Sequence, residues 1–144
     1  MAANHHGFSA KETADLTRAM VSTGSTIEFK NKLVIDKHCI GGVPNNRTTM
    51  IVGPIISVAG LTMPKTSSRA ITSPAGTADT MECLANVELT KKQIMNTVKK
   101  AGVCLIHGGS LNLAPADEKI IDIERLLSID ATGQLLASVI AKKA

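Results

Sequence analysis

Leu33-Val-Ile-Asp-Lys-His-Cys-Ile-Gly-Gly-Val-Pro-Asn-Asn-Arg-Thr-Thr49 changes character twice along its length. Leu33 to Ile35 is a short apolar run closed by Asp36, which suits a buried parallel strand. Lys37 to Arg47 is rich in Gly, Pro and Asn and reads as a loop. Thr48 or Thr49 then caps an apolar helix through Ile51, Val52, Ile55, Ile56 and Val58 to Gly60, with Pro54 expected to kink it or delay its start. Strand, small-residue loop and helix in that order form the repeating unit of an α/β fold.

The same order recurs downstream. A second strand lies near Thr62–Thr66 and enters a loop of small residues, Ser67 to Thr77, after which Thr77-Ala-Asp-Thr80 opens a short helix. Thr90-Lys-Lys-Gln93 is a capping box, with Ile94, Met95, Val98 and Ala101 inside the helix and Gly102 as its stop. Val103–Ile106 is a third strand, followed by His107-Gly-Gly-Ser110. Ile120–Leu127 has apolar residues too frequent to assign, and Gln134–Lys143 reads as a final helix. At the other end, Ser9-Ala-Lys-Glu12 is a capping box for a helix whose apolar stripe is Ala14, Leu16, Ala19, Met20 and Val21, stopping at Gly24. His5 and His6 before it read as disordered. The series implies an α/β chain with a mostly parallel sheet covered by helices.

Composition bounds the function. The chain has 144 residues, 44% hydrophobic and 19% charged, with 16 Lys+Arg against 12 Asp+Glu for a net charge of +4. That length suits one domain, and the composition excludes a disordered or collagen-like chain. No apolar run approaches the ~20 residues of a membrane helix, and Met1–Phe8 lacks the basic start and apolar core of a signal peptide, so a cytoplasmic chain is expected. Three cysteines without CxxC spacing argue against a disulfide framework or a structural zinc site. Two Phe with no Trp or Tyr leave little on which bases could stack, so nucleic acid is not the expected partner.

Ligands of open α/β sheets sit beyond the carboxyl ends of the strands. The first loop offers Lys37, His38, Gly41 and Gly42 before a helix start, which reads either as an anion site or as a plain turn needing two glycines. Neither GxxxxGK[ST] nor GxGxxG is present. His38 and Cys39 are adjacent on an extended segment and point apart, so they do not form a nucleophile–base pair. The second loop supplies hydroxyls at Ser67, Ser68, Thr72, Ser73 and Thr77, a cation at Arg69 and a glycine at Gly76. This suits phosphate and sugar hydroxyls, or a hydrophilic turn.

Asp36 to Thr49 resembles the phosphate-site signature of the thymidine/pyrimidine-nucleoside phosphorylases. Lys65-Thr-Ser-Ser-Arg-Ala-Ile-Thr-Ser-Pro-Ala-Gly-Thr-Ala-Asp-Thr-Met-Glu82 resembles their second phosphate and nucleoside loop, and Leu113–Asp117 and Ala137–Lys143 match two further segments in order. The strings around Lys65–Cys83 and Ser128–Ser138 are similar to the second subfamily, which includes archaeal AMP phosphorylases. Cys39 stands where the common bacterial enzymes carry Ser, and Ile123 where they carry an arginine for the pyrimidine, with Arg125 displaced by two positions.

The resemblance implies a three-layer α/β/α catalytic domain of the nucleoside phosphorylase/phosphoribosyltransferase type. Residues 1–30 would be the remnant of a helical domain and hinge, and 31–144 part of the phosphate- and nucleoside-binding α/β domain. It further implies phosphorolysis of the N-glycosidic bond of thymidine or of a nucleoside 5′-monophosphate. The alternative is a non-catalytic phosphate- or nucleotide-binding module. By position, Lys37, Cys39, Thr49, Ser68 and Thr77 would surround inorganic phosphate. Gly42, Ser68, Arg69, Ala70, Ile71, Thr72, Ser73, Ser138 and Lys142 would line the nucleoside. Asp130 would give the proton to the leaving base, with His38 against the base or sugar. No metal or organic cofactor and no membrane partner is implied, and the full-length enzyme would be a homo-oligomer.

Overall fold

Two strands, β1 (Met63–Ser67) and β2 (Val103–His107), pair in parallel with Met63 opposite Val103 and Ser67 opposite His107. In a computed structural model that describes residues 2–30, 33–38, 47–129 and 131–144, they are surrounded by seven α-helices among the described residues. These are α1 (Ala2–His6), α2 (Ala10–Ser22), α3 (Thr48–Val58), α4 (Thr77–Glu82), α5 (Lys91–Ala101), α6 (Pro115–Leu127) and α7 (Thr132–Ala141). The expected first strand is reduced to one parallel bridge, Val34 to Thr62, with the Ile35 N–H donating to the Thr62 carbonyl at 2.9 Å. It therefore lies beside the start of β1 and extends the sheet by a single pairing.

Side chains alternate across a strand, so each face of this small sheet has its own helices. Cys104 and Ile106 turn toward Ile94 and Val98 of α5, with Ile27, Phe29, Leu89 and Leu111 around them. Met63 and Val103 turn the other way, toward Gly53 of α3. The result is α/β/α layering. A second core joins Met20 of α2 to Ala137 and Ala141 of α7.

Both capping boxes form as the sequence predicts, Ser9 with Glu12 and Thr90 with Gln93, and Gly102 ends α5 in the left-handed conformation. Helix α3 departs from expectation. Its N-cap is Arg47, which is already helical (φ −74°, ψ −19°), so Thr48 and Thr49 lie inside the helix instead of capping it. Pro54 is accommodated within α3, which continues to Val58. The stretch with too many apolar residues is helix α6, His5 and His6 belong to the short helix α1, and the final helix runs from Thr132 to Ala141. Among the described residues no helix is long and apolar enough to cross a membrane.

Candidate active site at the carboxyl edge of the sheet

Because β1, β2 and the bridge at Val34 are parallel, the segments that follow them leave the sheet on one side. These are Asp36-Lys37-His38, Ser67-Ser68 and His107-Gly108. Lys65, in the middle of β1, is only 2% exposed. Its ammonium lies 3.2 Å from Nδ1 of His38 and also donates to the Thr66 carbonyl. Burial, then the positive charges of Lys65, Lys143, Lys142 and Lys37, push the His38 pKa down to about 3, so the ring is neutral at pH 7.

Lys142, just past α7, runs its stem past Gly108 and reaches α6, with Nζ 2.7 Å from Asp117 Oδ2 and 3.1 Å from Glu118 Oε1. Ser138 Oγ donates to the same Asp117 oxygen at 2.7 Å. Ser138 and Lys142 thus converge as their four-residue spacing predicts. Lys143 pairs with Asp36, whose other oxygen accepts the Lys37 backbone N–H at 2.6 Å. Among the described residues, four lysines here face three carboxylates (Asp36, Asp117 and Glu118), which leaves the edge cationic.

The second loop is held from within. Asp79 Oδ2 accepts the N–H groups of Ala70 and Gly76, both at 2.8 Å. Burial opposes ionisation of Asp79, but those two N–H groups and the Arg69 guanidinium hold its pKa below the ordinary carboxylate value. Gly76 passes so close to the outgoing strand that a Cβ there would lie 2.8 Å from the Ser68 carbonyl oxygen and 2.9 Å from the Ala70 nitrogen. The loop is therefore a closed turn that places Ser68 next to the segment leading into Thr77.

Arg69 is paired within the fold. Its guanidinium pairs with Asp79 at 3.1 Å, Glu82 at 2.6 Å and Glu88 at 3.1 Å, and Glu88 also meets His107 Nδ1 at 2.9 Å. With three carboxylates around it, Arg69 braces the loop. Arg125 of α6 donates from Nε to the Ala70 carbonyl at 3.2 Å, tying the helix to the same loop.

Thr49 is buried in the first turn of α3, and its hydroxyl has no hydrogen-bond partner among the described residues. It lines a cavity of about 520 Å³ together with Lys65, Met50 and Leu105. A second cavity of about 270 Å³ is lined by Phe29, Asp36, Thr66, Lys142 and Lys143. The structure thus brings His38, Ser138 and Lys142 to one edge, with Lys37 close enough to act on His38 by charge, and gathers Ser68 to Ser73 and Thr77 in one turn. Cys39, Gly42 and Asp130 lie outside the described residues. Sequence reasoning missed Lys65, Asp117 and Asp79 as organisers. A lysine alternating with Met63 and Ser67 on an inward strand face was the available signal for Lys65, and the Gly76–Asp79 spacing at a helix start was the signal for Asp79.

Residues 31–142 match the α/β domain of the glycosyl transferase family, and the chain belongs to that family. It is 56% identical over 133 residues to a Polaromonas sp. protein named "Putative thymidine phosphorylase", covering 92% of this chain and 26% of that protein. It is 55% identical over 138 residues to the AMP phosphorylase of Pyrococcus furiosus, covering 96% and 27%. With the AMP phosphorylase of Methanococcus vannielii it shares 53% over 138 residues, again 96% and 27%. The chain spans about a quarter of the length of the curated relatives it matches.

Proposed function

We propose that this chain carries the phosphate- and nucleoside-binding part of a pentosyltransferase that cleaves a nucleoside, or a nucleoside 5′-monophosphate, by phosphorolysis. The observation that carries the reading is the identity above 50% to thymidine- and AMP-phosphorylase relatives across a segment that includes the cationic edge and the closed Ser68–Thr77 turn. A phosphate oxygen attacks the anomeric carbon, the C–N bond to the base breaks, and the departing base takes a proton. Lys37, Cys39, Thr49, Ser68 and Thr77 hold the phosphate in line, which is catalysis by positioning and electrostatic stabilisation. Gly42, the Ser68–Ser73 backbone, Ser138 and Lys142 receive the nucleoside. Asp130 is the proton donor to the leaving base. In this reading residues 1–30 belong to a helical region and hinge and 31–144 to the α/β domain, and the working enzyme is an oligomer in which closure of the helical region completes the site.

The test is a chimera in which this chain replaces its matched quarter of the Pyrococcus furiosus AMP phosphorylase. Free base released from AMP, thymidine and uridine is measured with and without phosphate. Phosphate-dependent release is expected. A folded chimera that binds phosphate but releases no base from any of the three would sink the enzymatic reading in favour of a non-catalytic anion-binding module.

A further inference from the structure

His38 and Lys65 reach each other from separate parts of the chain, one from the segment after the Val34 bridge and the other from the buried middle of β1. Lys65 Nζ stands 3.2 Å from His38 Nδ1 and donates as well to the Thr66 carbonyl. An ammonium group has three donors and no acceptor, so Nδ1 must be the accepting nitrogen. A neutral imidazole has one accepting and one protonated nitrogen, which puts the ring proton on Nε2. We propose that Lys65 is a positioning residue that fixes His38 as the neutral Nε2–H tautomer, so that His38 offers the nucleoside a hydrogen-bond donor and not an acid.

The surroundings agree from every side. Lys65 faces the ring from β1, Lys142 and Lys143 from the end of α7, and Lys37 from its own segment. The carboxylates nearby are already engaged, Asp36 with Lys143, and Asp117 and Glu118 of α6 with Lys142. Among the described residues none of them is hydrogen-bonded to the imidazole. Among the described residues, a second proton on the ring would meet four positive charges and no carboxylate partner. The nitrogen that remains free to reach a ligand therefore carries a hydrogen, and the group it recognises is an uncharged acceptor: a base carbonyl, a ring nitrogen or a sugar oxygen. The proton needed by a departing base has to come from elsewhere. The identity of the acceptor rests on the phosphorolysis reading, whereas the tautomer rests on the contact alone.

The experiment is a long-range proton–nitrogen correlation spectrum of the 144-residue chain labelled with ¹⁵N-histidine, followed from pH 8 to pH 4.5. His38 is expected to show an unprotonated Nδ1 and a protonated Nε2, both unchanged across the range where an ordinary histidine gains its second proton. A protonated Nδ1, or a ring that titrates near pH 6.5, would overturn the proposal without recourse to any variant. Lys65→Met should mix the tautomers and raise the pH at which His38 takes up a proton; an unchanged His38 signal in that variant would also overturn it. In the chimera, His38→Gln, whose amide N–H can take the place of Nε2–H, should keep kcat within about tenfold, while His38→Asn should fall to the level of His38→Ala. Equal losses in His38→Gln and His38→Ala would refute the donor role. A chimera inactive in every form would fault the phosphorolysis reading and leave the spectrum to decide the tautomer.

Discussion

Gly76 shows how tightly single residues set the substrate loop. A methyl group at this position would press on backbone atoms of Ser68, Arg69 and Ala70, all within 2.9 Å, and backbone cannot step aside as a flexible side-chain end can. Gly76→Ala should therefore destabilise the chain by about 1–3 kcal/mol, read as a lower urea midpoint with an unchanged slope. An unchanged midpoint would mean the turn opens easily. The sequence exposes some such details and hides others. Ser9–Glu12 and Thr90–Gln93 are legible because a capping box closes over three residues. The role of Arg69 is not, because its partners Asp79, Glu82 and Glu88 come from a helix and an extended stretch that only the fold brings together. A lone arginine in a hydroxyl-rich loop reads as a cation for phosphate and sugar hydroxyls, and its carboxylate partners come into view only in the fold.

Helices α6 and α7 pose the same difficulty one level up. Ile120 to Leu127 resists assignment because apolar residues fall on more than one side of the helix: Ile121 is buried, whereas Ile123 is 56% and Leu126 85% exposed. What joins the two helices is polar. Asp117, with no exposed surface, accepts from Ser138 and pairs with Lys142, whose side chain is only 5% exposed. Removing one partner of a buried pair leaves the other charge uncompensated. Asp117→Ala should accordingly cost about 3–5 kcal/mol, whereas Asp117→Ala combined with Lys142→Met should regain a large part of that loss. A double-mutant cycle by urea denaturation measures the coupling. Additive effects would show that Lys142 finds Glu118 or water without cost. The i,i+4 spacing of Ser138 and Lys142 was readable; their shared anchor, on another helix, was not.

At the scale of the whole molecule, the strand–loop–helix order and the parallel sheet were legible because periodicity and turn residues act locally, while the gathering of charge at the sheet's carboxyl edge was not, because it depends on which loops meet there. That gathering has a consequence for acid stability. His38 has an ordinary pKa of 6.5 and one of about 3 in the folded chain, lowered first by burial and then by the lysines. The unfolded chain therefore binds the extra proton first as pH falls. The contribution of the neutral ring to stability is complete above pH 6.5 and is lost progressively as pH drops toward 3. Glu12, Asp79 and Glu82 are held below their ordinary values, so what they contribute persists until pH falls through the carboxylate range. The His38→Gln variant separates the part due to His38 from that of every other group over the interval from pH 6.5 to 5. At about 1.4 kcal/mol per pH unit, the loss by pH 5 is at most about 2 kcal/mol, and less for a ring that is only partly buried. Urea midpoints at pH 7, 6 and 5 should fall more for the native chain than for His38→Gln. If both chains lose the same amount over this interval, His38 is not the group that the folded edge keeps neutral.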